Sequence, residues 1–342
     1  LTTGLHAADS SWWNKAWTQR QTITLDPSAA NADASGSATV LVRLHDGNFG
    51  FANATEGGSD LRFIAADGKT SLPYQVEKWD SLLNEAFVWV KVPDLSAKTV
   101  HLYYGGGDAA AGVAEKGKTY DESSSVVWHF GETTPTDATS NGNNAAAAVT
   151  LAEGSLIGKG LRLPSPAPVT IANSPSLAWT QGQDLTASFW FKPASLQTGA
   201  ILFARGGLKL ILDQGIPLID LSGQRSTTGS PVAAGSWHHL ALVSQGGNLS
   251  LILDGKPYAQ LAATLPASEA PVTIGSAENG EAFIGELDEL QLTRKALTAG
   301  QLQLAFTNQG SSEAAQRVLA LGAVEGGESA GSHSAALEHV ML

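Results

Sequence analysis

Apolar and polar residues alternate with a period of two along most of this chain, from Thr22 onward. Val40, Val42 and Leu44 share one face, and Leu61, Phe63 and Ala65 another, the spacing of half-buried strands rather than helices. The series continues through residues 72–76, 85–92 and 100–104, with Asp67-Gly68 as a hairpin turn, and Gly105-Gly106-Gly107 closes the unit near residue 120. A second series starts at 126–130 and runs through 185–191, 200–204, 208–212, 237–243, 249–253, 272–274 and 283–292, with Gly246-Gly247-Asn248 and Asp254-Gly255 as turns. Many short strands at this spacing predict a sandwich. The one helix predicted is 299–306, where Thr298 caps the first turn and Gln301 completes a capping box. The expected architecture is all-β, with a β-sandwich domain at 9–120 followed by a jelly-roll sandwich at 121–310.

A length of 342 residues fits two folded units. Residues 1–8 read as a signal-peptide remnant, and the Gly/Ser-rich 326–332 makes 311–342 read as a flexible linker. Twenty basic against thirty-two acidic residues give a net charge of −12, which excludes sequence-independent attraction to nucleic acid or anionic lipid. Without cysteine the chain has no disulfides, thiolate metal sites or thiol nucleophile, which suits any compartment, a bacterial periplasm included. No run of apolar residues approaches the ~18–20 that a spanning helix requires.

Hydrolytic chemistry finds little support in the motifs. His238 and His239 are neighbours on a strand, so they face opposite sides and cannot chelate one ion together. The G-x-S-x-G at 327–331 lies in the expected linker, away from any strand-to-helix elbow. Glu286 and Asp288 resemble the start of a glycosidase carboxylate pair, but the third position is Gln291, which cannot donate a proton to a leaving group, and five residues place it on the opposite face unless a bulge intervenes. Acid and amide oxygens at Asp137, Asn141 and Asn144, joined by Asp288 from a distant strand, suit a hard cation and nominate calcium; the alternative is ordinary turn chemistry in a loop. Among nine tryptophans, Trp190 shares its face with Thr186 and Ser188 and is the candidate for an exposed ligand surface. Asp60 with Arg62, and Gln75 with Glu77 and Trp79, form polar faces able to bind a ligand or to pair among themselves.

Both halves carry family resemblances. Residues 9–120 resemble a β-rich domain family of unknown function through Trp17-Thr18-Gln19-Arg20, Gly58–Phe63, Leu72–Trp79, Val88–Pro93 and Leu102–Gly105. Residues 124–310 resemble a laminin-G-like, concanavalin A-like jelly roll through Ser188–Lys192, Ser236–Val243, Leu253–Lys256 and Phe283–Leu290 followed by Arg294–Thr298. The pair in this order resembles the exported region of large TolQ/ExbB/MotA-type proton-channel proteins of Gram-negative bacteria. The resemblance implies a periplasmic ectodomain of a membrane-embedded, oligomeric transport protein, with calcium ligands falling on the 137–144 loop and Asp288. The combined expectation is a non-catalytic module that recognises a glycan or a periplasmic or outer-membrane protein. The alternatives are a structural or oligomerisation spacer and a jelly-roll glycoside hydrolase.

Overall fold

A computed structural model describes residues 12–32, 36–106, 117–165, 167–276 and 280–326. The expected signal-peptide remnant and the G-x-S-x-G lie outside them. Two sandwiches account for nearly all of the described chain. In the first, a sheet of Gln19–Leu25, Thr99–Tyr104, Arg62–Ala65 and Ser71–Leu72 faces a three-stranded sheet of Ala38–His45, Glu85–Val92 and Tyr74–Asp80. Their inner faces supply Ile23, Val40, Val42, Phe63, Val88, Val90 and Leu102, the period-two positions of the sequence.

The second domain is a jelly roll of one eight-stranded and one seven-stranded sheet. Its larger sheet is centred on Leu185–Pro193 paired with Gly285–Thr293; Ser124–Trp128 and Lys159–Leu163 share the far edge of the latter strand. The core between the sheets takes Phe189, Phe191, Leu202, Phe203, Leu210, Leu240, Leu287 and Leu290.

Residues 312–326 of the segment expected to be a linker are instead structured. Helix α1 spans Ala299–Gln309 with the anticipated Thr298–Gln301 capping box, and runs three residues beyond the expected end. Helix α2 (Ser312–Val318) follows, and Leu319–Gly326 then adds an antiparallel strand to the first domain by pairing with Gln19–Leu25. Leu304, Val318 and Leu319 join the first domain's core. The first sandwich is therefore discontinuous in sequence. The Gly/Ser composition that pointed to a linker begins only at the end of this strand, and the apolar run before it is what docks.

Trp190 is a second correction. It does point away from the jelly-roll core, but α1 lies over it: Phe306 stacks on the indole at 5.6 Å, Nε1 donates to Gln309 Oε1 at 2.8 Å, and only 2% of the residue is exposed. His239 lies beside it under the same cover, with ring centroids 5.2 Å apart, while its neighbour His238 is half-buried and bonded to Asp254. Burial drives the His239 imidazole down to about 4, the nearby Asp254 carboxylate opposing. Among the described residues no helix is long and apolar enough to cross a membrane.

Two outcomes follow from this packing. Val318→Asp places an unpaired charge in the first domain's core and is expected to lower stability by about 3 kcal/mol or more in urea unfolding, whereas a mere linker position would tolerate it. For His239, the unfolded chain takes up a proton below its ordinary pKa of 6.5 that the folded chain refuses until about 4. Stability is thus lost as the pH falls through that window, by about 3 kcal/mol from this group. His239→Gln is expected to remove that component, giving a flatter dependence of Tm on pH between 6.5 and 4.

Candidate functional site

The outer face of the first domain's three-stranded sheet lies against the outer face of the jelly roll's larger sheet. Leu41, Phe87 and Trp89 from the former bury Leu156 and Ile157 of the latter. Helix α1 pins the two together. The Asn308 side chain accepts from Leu41 N–H (2.7 Å) and donates to Leu41 C=O (3.0 Å), capping a free strand edge as a neighbouring strand would. Arg43 donates to the carbonyls of Asn308, Gln309 and Gly310, the exposed C-terminal carbonyls of the helix, where a cation is electrostatically favoured. Burial brings Arg43 down to about 10, so it remains charged at neutral pH.

Within this seam lies a cluster of ionisable side chains drawn from both domains. Two β-bulges aim them. On the strand Tyr74–Asp80 the register skips Glu77, since Val76 pairs with Val88 and Lys78 with Phe87. On Gly285–Thr293, Trp190 pairs with Asp288 and Ser188 with Gln291, so two residues oppose Phe189. Leu287, Leu290 and Leu292 remain in the core, and the extra residue turns both Asp288 and Glu289 outward toward the first domain. Glu289 adopts φ 53° and Phe130, beside His129, φ 55°, left-handed conformations that cost non-glycine residues of order 1 kcal/mol each.

His129 joins the two acids. Its Nδ1 lies 2.9 Å from Glu289 Oε1 and 3.5 Å from Glu77 Oε2, and its Nε2 lies 2.9 Å from the Tyr120 hydroxyl. Trp89 stacks on the imidazole at 5.2 Å and donates Nε1–H to Glu77 Oε2 at 2.6 Å. The other oxygen of Glu77, Oε1, is buried without a hydrogen-bond partner. Asp288 accepts from the N–H groups of Ile157 and Glu289.

Burial dominates the electrostatics. It pushes Glu77 up to about 8, with the Glu289 charge adding to it and His129, Trp89 and Arg43 opposing. Asp288 and Glu289 are held well above the carboxylate range, by burial first and, for Asp288, by the charges of Glu289 and Glu77. The same burial lowers His129, against the pull of Glu77 and Asp137. Glu77 and His129 also form part of the wall of a cleft of about 470 Å³, lined further by Gly58, Tyr74, Gln75 and Glu132. The side-chain oxygen of Gln75 is buried without a partner.

Of the ligand-binding candidates, Glu77 is the one that lines this cleft. Asp60 is fully buried and organises its own domain, accepting from Thr55 N–H at 2.9 Å and Gly105 N–H at 2.7 Å. Arg62 donates to the carbonyls of Ser59 and Leu61 and lies over the Trp17 ring at 5.1 Å. Trp79 packs against Phe49 and Phe51. The calcium candidates divide. Asp137 accepts from Val127 N–H, Thr139 N–H, the Thr139 hydroxyl and Asn143 N–H; Asn144 accepts from Asp137 N–H; Asn141 donates to the carbonyls of Ser124 and Ser125. The Asp137 carboxylate and the Asn144 amide oxygen are taken up in building the loop, which is the turn chemistry of the alternative reading. Asp288 belongs to the seam. His129, Glu289 and Tyr120 were missed as site residues because their partners come from another domain; the motif Leu287-Asp288-Glu289-Leu290, two adjacent acids inside an apolar strand, was the available signal.

Residues 167–303 match the family model described as Concanavalin A-like lectin/glucanases superfamily, and residues 57–144 match a domain of unknown function, DUF2341. The second domain is a concanavalin A-like jelly roll. No curated protein matches the chain. Among solved structures, domain 4 of AbnA, an extracellular arabinanase of Geobacillus stearothermophilus in complex with arabinotriose, is 21% identical with a TM-score of 0.42, the alignment covering 53% of this chain and 96% of that one. The binding domain of Paraclostridial Mosquitocidal Protein 1 is 17% identical with a TM-score of 0.46, over 54% of this chain and 52% of that one. The botulinum neurotoxin serotype D binding domain is 12% identical with a TM-score of 0.41, over 54% and 51%. The chain thus spans about half the length of the toxin domains.

The seam's pins are testable. Asn308→Leu leaves a buried N–H and a buried C=O of Leu41 unpaired, at about 1–3 kcal/mol each. Chemical denaturation is expected to show a loss of about 2–5 kcal/mol, against the few tenths typical of an exposed helix terminus.

Proposed function

We propose that this chain is a non-catalytic ligand-recognition module that binds a glycan, or failing that a partner protein, in the cleft at the seam of its two domains. The cleft itself carries this reading. Its wall carries the side chains of Gln75 and Glu77, the aromatic Tyr74 and the exposed carboxylate of Glu132, the few convergent polar groups on a rigid wall that recognition of a hydroxyl-rich ligand requires. The match of residues 167–303 to a superfamily named for lectins and glucanases supports the same ligand class.

Recognition is favoured over hydrolysis because the acids have other tasks. Glu286 is held between Lys192 Nζ at 3.0 Å and Arg162 at 3.4 Å, and Asp288 is fully buried on backbone N–H groups. Neither has the open position across a scissile bond that a glycosidase pair needs. We extend the proposal to the setting: the two matched domains in this order, with the net charge of −12 and no cysteine, suit the periplasmic ectodomain of a TolQ/ExbB-type proton-channel protein. Several apolar spans encoded downstream of residue 342 are the expected finding there, and their absence from the complete gene would remove that part.

On a glycan array the full chain is expected to show saturable binding, weakened at least about tenfold by Gln75→Leu or Glu132→Ala with Tm unchanged. Retention of no glycan together with concentration-dependent self-association in the ultracentrifuge would replace recognition by a spacer role. Release of sugar that a Glu77→Gln change abolishes would replace it by hydrolysis.

A further inference from the structure

Three carboxyl groups meet in the seam, Glu77 from one domain and Asp288 and Glu289 from the other, and the guanidinium near Glu77 and Glu289 is that of Arg43, which already donates three hydrogen bonds to helix carbonyls. Ionised, they leave two negative charges uncompensated in a region walled by Trp89, Phe87 and Ile157. Buried charges persist when they are paired or bound to metal. Among the described residues, Glu77, His129 and Glu289 each present a donor atom, all within 4.8 Å of one another.

We propose that Glu77, His129 and Glu289 form a binding site for one divalent first-row cation of the zinc type, which ties the two domains together. The spacing of the two carboxylates from the imidazole fits. Ligands about 2.0–2.2 Å from a zinc ion lie roughly 3–3.5 Å from each other in tetrahedral or five-coordinate geometry, and the contacts from His129 Nδ1 are 2.9 and 3.5 Å. The charge fits as well, since a divalent ion cancels the excess of three carboxylates over one guanidinium.

A further observation is that the Glu77 carboxylate, on a side chain only 4% exposed, turns Oε2 toward His129 and leaves Oε1 buried without a hydrogen-bond partner, a group left half-satisfied at the site. The surroundings of the ligands have the form that metal-ligating groups require. Tyr120 Oη meets His129 Nε2, so with Nδ1 on the ion the ring donates Nε2–H to the phenol oxygen; Trp89 Nε1–H orients the Glu77 carboxylate. The neutral ring then keeps its single proton on Nε2, and the protons that binding displaces to solvent are those of the two carboxyl groups. Imidazole among the donors selects zinc over calcium. The cleft at Glu77 and His129 gives the ion a route in and leaves remaining coordination positions for water or a ligand oxygen.

The test uses the full chain, treated with a chelator and titrated with Zn2+ by calorimetry, with Ca2+ as the comparison. One zinc per chain is expected, at a Kd below about 1 μM, with a rise in Tm and no comparable calcium effect. Glu77→Gln and Glu289→Gln keep side-chain shape and are each expected to weaken zinc at least about 100-fold, and Tyr120→Phe about 10-fold. Absence of stoichiometric zinc binding, or binding undiminished in the folded Gln variants, overturns the site. Should a variant fail to fold, the unaltered chain decides: Co2+ must broaden the His129 side-chain resonances, and their persistence at saturating Co2+ overturns the assignment. The inference does not rest on glycan binding, and either can fail alone.

Discussion

A cluster of ionisable groups buried between two sheet faces is the constraint around which the seam of this molecule is arranged. Apolar side chains such as Leu41, Phe87, Trp89 and Ile157 exclude water from the seam, and that exclusion raises the cost of every charge placed beside them. A loose interface would let the carboxyl groups hydrate and drift apart. The groups therefore stay where they are only because the two domains are fixed to each other at many points.

Much of that fixing falls to α1. One face covers Trp190 and His239 of the jelly roll, its last turn supplies Asn308 to the edge of the first domain, and its carbonyl end receives Arg43. Leu304 enters the first domain's core from the same helix. Because α2 and Leu319–Gly326 follow immediately and complete the first sandwich, the jelly roll is flanked in sequence by the two halves of its neighbour. Two units joined in this way cannot swing as beads on a single tether.

This arrangement changes which surfaces are open to a ligand. The face carrying Trp190 is occupied from within, while the seam keeps a cleft whose wall is built by both domains. Two of the non-glycine residues with left-handed backbone lie at the same place: Glu289 and Phe130 flank the His129–Glu289 contact. Bulges in two unrelated sheets deliver acids to one point.

The alternation of residues determined the all-β class, most of the strands and the capped start of α1, because a period of two and a capping box are local properties that side-chain geometry enforces wherever the chain lies. The same alternation misled at Trp190, correctly placing it outside the core and giving no sign of the helix that covers it. It also misled after residue 310, where the run Val318–Leu321 docks on a strand some three hundred residues away and only the later glycines are linker-like. Glu77 was legible as a polar strand residue, and Asp288-Glu289 as two acids in an apolar strand. Their convergence on His129 was not. It depends on a one-residue shift of register in each of two strands and on the docking of one outer face against another, and such shifts are decided by the packing of neighbours, which no stretch of sequence contains by itself.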